Sequence, residues 1–196
     1  NLLADAAATS TSSYVLRMPS SASNSMDESS SGTLRTESFA GLIAGMETLT
    51  QICYGGMCNA SEFQINDKGQ YKYRGLMLDS GRRFIPIKLI RVIIDLMTSL
   101  HFNVLHLHLT DWAAVRWSSN VAPELVHGAT SQLHRQYSQQ DIEELETFAQ
   151  LRGVVLIPEM DVPGHASSFR PLESGDDDGD GDGVRFCSSK KQQLFN

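Results

Sequence analysis

Arg74-Gly75-Leu76-Met77-Leu78-Asp79, Asn103-Val104-Leu105-His106-Leu107-His108-Leu109 and Val154-Val155-Leu156-Ile157 decide the fold. Each is a short, nearly continuous apolar run, as strands covered on both faces require. Helical patterns separate them. Pro86 suits the opening of a helix, and Ile87, Ile90, Ile93, Ile94, Met97 and Leu100 then mark one apolar face. Ser138-Gln139-Gln140-Asp141 resembles a capping box, with Asp where Glu or Gln is usual. Ile142, Leu145, Phe148 and Ala149 follow at helical spacing, with Arg152 in the last turn and Gly153 just beyond. Strand, helix, strand, helix, strand predicts a parallel α/β sheet.

In such sheets chemistry gathers at the C-terminal ends of the strands. The polar residues here do the same. Asp79 and Arg82 follow the first strand, His106, His108 and Asp111 close the second, and Glu159, Asp161 and His165 close the third.

Upstream, ten of the residues from 10 to 31 are serine, a low-complexity stretch. Within it, residues 14–18 could form a short strand that Pro19 stops. Residues 39–54 read as a helix, with Leu42, Ile43, Met46, Leu49 and Ile52 at helical spacing and Gly55-Gly56 as its end. Residues 63–65 read as a strand, and Asn66-Asp67-Lys68-Gly69 as a turn.

The chain has 196 residues, 41% hydrophobic and 20% charged, which suits a globular domain. Its net charge of -7 argues against nucleic acid as a partner, because phosphate binding needs clustered Lys and Arg. Six acids fall between Glu173 and Asp182. No apolar run approaches the ~20 residues of a membrane span. The sequence starts at Asn1 without a signal-peptide pattern and reads as part of a longer chain. Cys53, Cys58 and Cys187 form no C-x-x-C motif. Cys53 and Cys58 could close a small loop, or all three could be free thiols. Asn59-Ala60-Ser61 is a glycosylation sequon.

The strand-end residues admit several chemistries. His106 and His108 alternate along a strand and so share a side. With Asp111 and His165 they could ligate a metal, or they could be hydrogen-bonded core histidines. Arg82 and Arg83 could offer paired donors to vicinal sugar hydroxyls or a carboxylate, or form surface ion pairs. Asp161 and His165 flank Pro163-Gly164 and could form an orienting pair that tunes an acid, or a structural turn. Asp178-Gly179-Asp180-Gly181-Asp182-Gly183 fails the calcium-loop template, because position twelve is Ser189. Trp112 and Trp117 could stack on a sugar face or pack in the core.

Three ordered blocks carry a resemblance: residues 74–84 (RGLMLDSGRRF), residues 103–111 (NVLHLHLTD) and residues 158–166 (PEMDVPGHA). Together with Gly45-Met46-Glu47-Thr48-Leu49-Thr50-Gln51 and Ala122-Pro123-Glu124-Leu125, they resemble the β-N-acetylhexosaminidases of glycoside hydrolase family 20. The resemblance implies a small α/β domain followed by a (β/α)8 TIM barrel, of which this chain holds about three of eight units. It divides the chain into a Ser-rich segment (1–38), the end of the small domain (39–70), the first part of the barrel (71–170) and an acidic insertion with tail (171–196).

The implied reaction removes terminal β-linked N-acetylhexosamine by a retaining, substrate-assisted route, in which the substrate's acetamido oxygen is the nucleophile. The resemblance places Arg82 on the sugar's ring hydroxyls and His108 beside the pocket. It makes Asp111, Asp161 and His165 supporting residues, with Asp111 and His165 linked to the catalytic acid. It implies no cofactor and no metal, glycans ending in N-acetylhexosamine as partners, a lysosomal or secreted location, and room for a homodimer of the full-length protein. The partner of Cys187 would lie beyond Asn196.

The departures are specific. The family's Gly-Asp-Glu segment, which holds the polarising Asp and the acid Glu, does not occur in these 196 residues. Trp112 stands where a second Asp commonly follows, and Arg83 replaces a common His. This polypeptide alone is therefore expected to be inactive and poorly stable, since three strands cannot close a barrel. Two rival readings remain: a non-catalytic remnant that binds sugar or regulates, and a metal-dependent barrel hydrolase.

Overall fold

The computed structural model describes residues 12–19, 32–54, 57–58, 62–112, 114–121, 123, 135–166 and 168–169. The Asn59 sequon, Cys187, the acidic run 173–183 and most of the Ser-rich segment lie outside them. The chain forms two compact units, one of residues 1–76, 88–105 and 146–156, the other of residues 77–87, 106–145 and 157–196.

The first unit opens with a three-stranded antiparallel sheet, in the order β2-β1-β5, from β1 (Tyr14–Met18), β2 (Thr33–Thr36) and β5 (Phe63–Asp67). Along β1, Tyr14 and Leu16 are buried while Val15 and Arg17 are exposed, the alternation of a sheet covered on one face. Helix α1 (Phe39–Ile52) supplies the cover through Ala44, with Leu34, Leu49, Phe63 and Ile65 packed around the cluster. Tyr14 Oη also meets Thr48 Oγ1 at 2.6 Å. Ser38 caps the helix, its hydroxyl accepting from the Gly41 amide at 2.9 Å.

Two boundaries differ from the pattern reading. Helix α1 stops at Ile52, before Gly55-Gly56, because Cys53 is already extended and disulfide-bonded to Cys58. That bond joins the two-residue strands β3 (Cys53–Tyr54) and β4 (Met57–Cys58). Asn66 and Asp67 are strand, not turn, because they pair with Val15 and Tyr14 of β1.

The parallel sheet has the order β10-β7-β6, from β6 (Gly75–Asp79), β7 (Val104–His108) and β10 (Val155–Glu159). In the first unit, the Asn103 amide donates to the Arg74 carbonyl and the Val155 amide to the Asn103 carbonyl, both at 2.9 Å. In the second, the Gly81 amide donates to His108 at 2.9 Å and the Leu109 amide to Glu159 at 3.1 Å. Partners advance together along each pair, which is parallel pairing. Asn103 ties down the strand starts in the first unit. Its Nδ2 donates to the Lys72 carbonyl at 2.6 Å, and its Oδ1 accepts from the Arg74 amide at 2.8 Å.

Helix α2 (Ile87–Ser99) buries Ile90, Ile94 and Met97. Leu100, read as part of that face, lies past the helix end and is 70% exposed. Helix α3 (Gln139–Gln150) buries Leu145 and Ala149. Its capping box is complete: the Asp141 amide donates to Ser138 Oγ at 3.0 Å, and the Ser138 amide donates back to Asp141 Oδ2 at 2.8 Å. Gly153 has φ of 71°, the left-handed conformation that follows a helix end. The second unit also holds a hairpin of β8 (Thr110–Asp111) and β9 (Ala114–Val115) that no pattern announced. Two-residue strands are too short to show alternation.

Ile94→Ala, at a fully buried position, is expected to lower unfolding free energy by about 2–5 kcal/mol. Ser138→Ala should cost about 0.5–2 kcal/mol by loss of the cap. Urea denaturation followed by circular dichroism measures both, and an Ile94→Ala midpoint equal to wild type would contradict the burial.

Candidate active site

The site lies in the second unit, at the C-terminal ends of the three parallel strands. Strand β6 ends in Asp79, and the following turn carries Arg82. Its guanidinium joins two carboxylates: Nε donates to Asp111 Oδ2 at 2.8 Å, and Nη1 lies 3.2 Å from Asp79 Oδ2. The Arg82 side chain is 61% exposed, whereas Asp111 is almost wholly buried. Asp79 also accepts from the Arg82 amide at 3.1 Å, which closes the turn.

His108, at the end of β7, is buried. Its Nδ1 is 2.9 Å from Asp79 Oδ1. Its Nε2 faces Asp161 Oδ2 at 3.3 Å as an ion contact without a hydrogen bond. Asp161 in turn meets His165 Nδ1 at 3.2 Å, and its amide donates to Thr110 Oγ1 at 3.0 Å. A continuous chain of contacts therefore runs Asp111, Arg82, Asp79, His108, Asp161, His165. His106 pairs separately with Glu159.

Opposing effects set the protonation of this chain. Burial pushes the His108 imidazole down, but the hydrogen bond and charge of Asp79, with the charges of Asp161 and Glu159, raise it above its ordinary value. Burial pushes Asp79 up, and it is outweighed by the hydrogen bonds from the Arg82 amide and His108 and by both positive charges, so its carboxyl lies low. Asp161 is also low. Burial again opposes, while the hydrogen bond with His165, the neighbouring Glu159 carboxyl and the His108 charge prevail.

The residues named from sequence come together with different partners. Arg82 forms ion pairs with Asp111 and Asp79 at the strand ends. Asp161 and His165 form the anticipated pair. The suggested metal set of His106, His108, Asp111 and His165 does not converge, because His106 turns to Glu159, Asp111 to Arg82 and His165 to Asp161. Among the described residues, the ligating atoms that do lie together, all within 4.8 Å of one another, belong to His108, Glu159 and Asp161. Trp112 is 67% exposed rather than packed, and Trp117 is half-buried. Arg116 and Tyr137, both fully buried beside the Arg82 turn, carry no periodic signal that marks them in the sequence. A charged residue inside the apolar run Val115-Arg116-Trp117 was the available signal for the first.

Residues 71–176 match the glycosyl hydrolase family 20 catalytic domain. The chain is 34% identical over 139 residues to the β-hexosaminidase subunit beta of Mus musculus, covering 69% of this chain and 26% of that protein. It is 35% identical over 143 residues to β-hexosaminidase 1 of Arabidopsis thaliana, covering 70% and 26%. Among solved structures, the Flavobacterium johnsoniae chitobiase superposes with a TM-score of 0.68 at 30% identity, over 82% of this chain and 23% of that one. The chain thus spans about a quarter of the length of the relatives it matches.

The raised His108 value has a definite sign. Its stabilisation is full below the unfolded value of about 6.5 and is lost as pH rises through the higher folded value. The lowered Asp79 and Asp161 values give stabilisation that is present above about 3.9 and is lost as pH falls through their folded values. Wild type should therefore exceed His108→Gln in urea midpoint most clearly between about pH 4 and 6.5. A His108 imidazole titrating by NMR at or below 6.5 would contradict this arrangement.

Proposed function

Because the chain belongs to glycosyl hydrolase family 20, we propose that the whole protein removes terminal β-linked N-acetylhexosamine from glycans. We propose further that the second unit supplies the sugar-holding side of the pocket. The observation that carries this reading is the contact chain from Asp111 to His165, drawn from three strand ends. Arg82 is fixed through Nε and Nη1, and its Nη2 takes part in neither contact. That geometry leaves a planar donor for two vicinal ring hydroxyls, which a guanidinium matches and an ammonium does not.

His108 forms a polar wall beside that donor. Asp161 engages Nδ1 of His165, which leaves Nε2 free to hydrogen-bond a catalytic acid. Asp111 would reach the acid's network from the other side while holding Arg82. The nucleophile in this reading is the substrate's own acetamido oxygen, so no carboxylate of the chain attacks the anomeric carbon. The polarising Asp and the acid Glu are not among these 196 residues. In the same reading residues 39–70 close a small α/β domain and residues 71–170 begin the barrel. A lysosomal or secreted location, glycosylation at Asn59 and a homodimer are parts of it that the site itself does not bear on.

The 196-residue polypeptide by itself should release no 4-nitrophenol from 4-nitrophenyl N-acetyl-β-D-glucosaminide above the buffer rate. The transcript, read past the codon for Asn196, should encode a Gly-Asp-Glu segment, and its product should hydrolyse that substrate with retention of configuration. In that product Arg82→Lys should lower kcat/KM by about a hundredfold or more, because paired donation is lost. A stop codon directly after Asn196 would sink the hydrolase reading and favour a non-catalytic sugar-binding protein.

A further inference from the structure

We infer that Arg116 and Tyr137 are positioning residues that set where the Arg82 guanidinium stands. Arg82 has a long, largely exposed side chain, so its placement depends on how firmly its backbone turn is anchored. The anchors lie on both sides of it. Arg116 Nε donates to the Ser80 carbonyl at 2.9 Å. Tyr137 Oη hydrogen-bonds Ser80 Oγ at 2.9 Å and the Ile85 carbonyl at 2.6 Å. Residues two before and three after Arg82 are therefore held by the same buried pair. Between them, the Gly81 amide donates to the His108 carbonyl. A Cβ at Gly81 would stand 3.0 Å from the Thr110 carbonyl oxygen, so the turn sits directly against β8.

The pair is itself well fixed. Arg116 and Tyr137 are each 1% exposed. Arg116 Nη1 donates to the Arg135 carbonyl at 3.2 Å, and its guanidinium lies 5.9 Å from the Phe84 ring centroid. Phe84 stacks on Tyr137 with centroids 5.0 Å apart. The Tyr137 amide donates to the Arg116 carbonyl at 2.7 Å. A buried guanidinium is a poor way to gain stability, since apolar residues of similar volume commonly do as well. What it supplies is direction, because rigid donors are aimed at one carbonyl of one turn.

The functional meaning rests on the proposed sugar-holding role of Arg82, but the test reads the placement of Arg82 itself. In the whole protein labelled with 15N-arginine and 15N-leucine, the Arg82 Nε–Hε signal is assigned by its loss in Arg82→Lys. Its exchange with water reports the bond to Asp111. Tyr137→Phe, Ser80→Ala and Arg116→Lys should each speed that exchange by about three- to tenfold. The amides of Leu105 and Leu107 should remain as protected as in wild type.

Unchanged Arg82 exchange in folded Tyr137→Phe and Ser80→Ala would overturn the inference, since Asp79 and Asp111 would then suffice. Should Tyr137→Phe and Arg116→Lys unfold, Ser80→Ala decides, because it removes a single hydroxyl. Unfolding of all three would also overturn the inference, by making the set a determinant of global stability. N-acetylglucosamine that leaves the wild-type Arg82 signal unmoved would count against the proposed function and leave this inference standing.

Discussion

A buried imidazole set between two carboxylates governs this site. His108 engages Asp79 through one ring nitrogen and faces Asp161 with the other, and these three residues come from the ends of three different strands. Neither carboxylate could be brought into such surroundings cheaply without the positive charge between them. Arg82 extends the arrangement by one link, sharing Asp79 and reaching the buried Asp111. The alternation of charge along this chain of contacts allows so many ionisable groups to share a small volume. It also accounts for the directions in which the groups are shifted, His108 upward and both aspartates downward.

Much of this is legible in the amino-acid sequence. Apolar runs of the right length placed β6, β7 and β10 to within a residue or two, but only β7 is buried along its length as a strand covered on both faces should be; Met77 of β6 is 54% exposed. The Ser138-Asp141 cap and the left-handed Gly153 were legible because few residue types satisfy a helix end. The clustering of Asp79, Arg82, His108, Asp111, Asp161 and His165 followed from strand direction alone. Their pairing did not, because it depends on side-chain reach across neighbouring strands. Asp111 could equally have met a histidine, yet the geometry gives it Arg82.

Other features were hidden for physical reasons. The end of α1 is set by a covalent bond, which overrides the glycine signal three residues on. The β8–β9 hairpin is shorter than any period. Arg116 and Tyr137 matter through where their polar ends point, and a one-dimensional pattern records burial far better than aim. Leu89, Val92 and Leu96 share one exposed stripe of α2, and no reading of the buried face alone would draw attention to them.

The order of the partners along the chain bears on biosynthesis. Asp79 and His108 stand 29 residues apart, as do Arg82 and Asp111. Both pairs are complete in the sequence before α3 is reached, whereas Asp161 lies beyond it. Translation thus supplies the residues of the strand-end contacts in two instalments, and the residue common to both is the histidine.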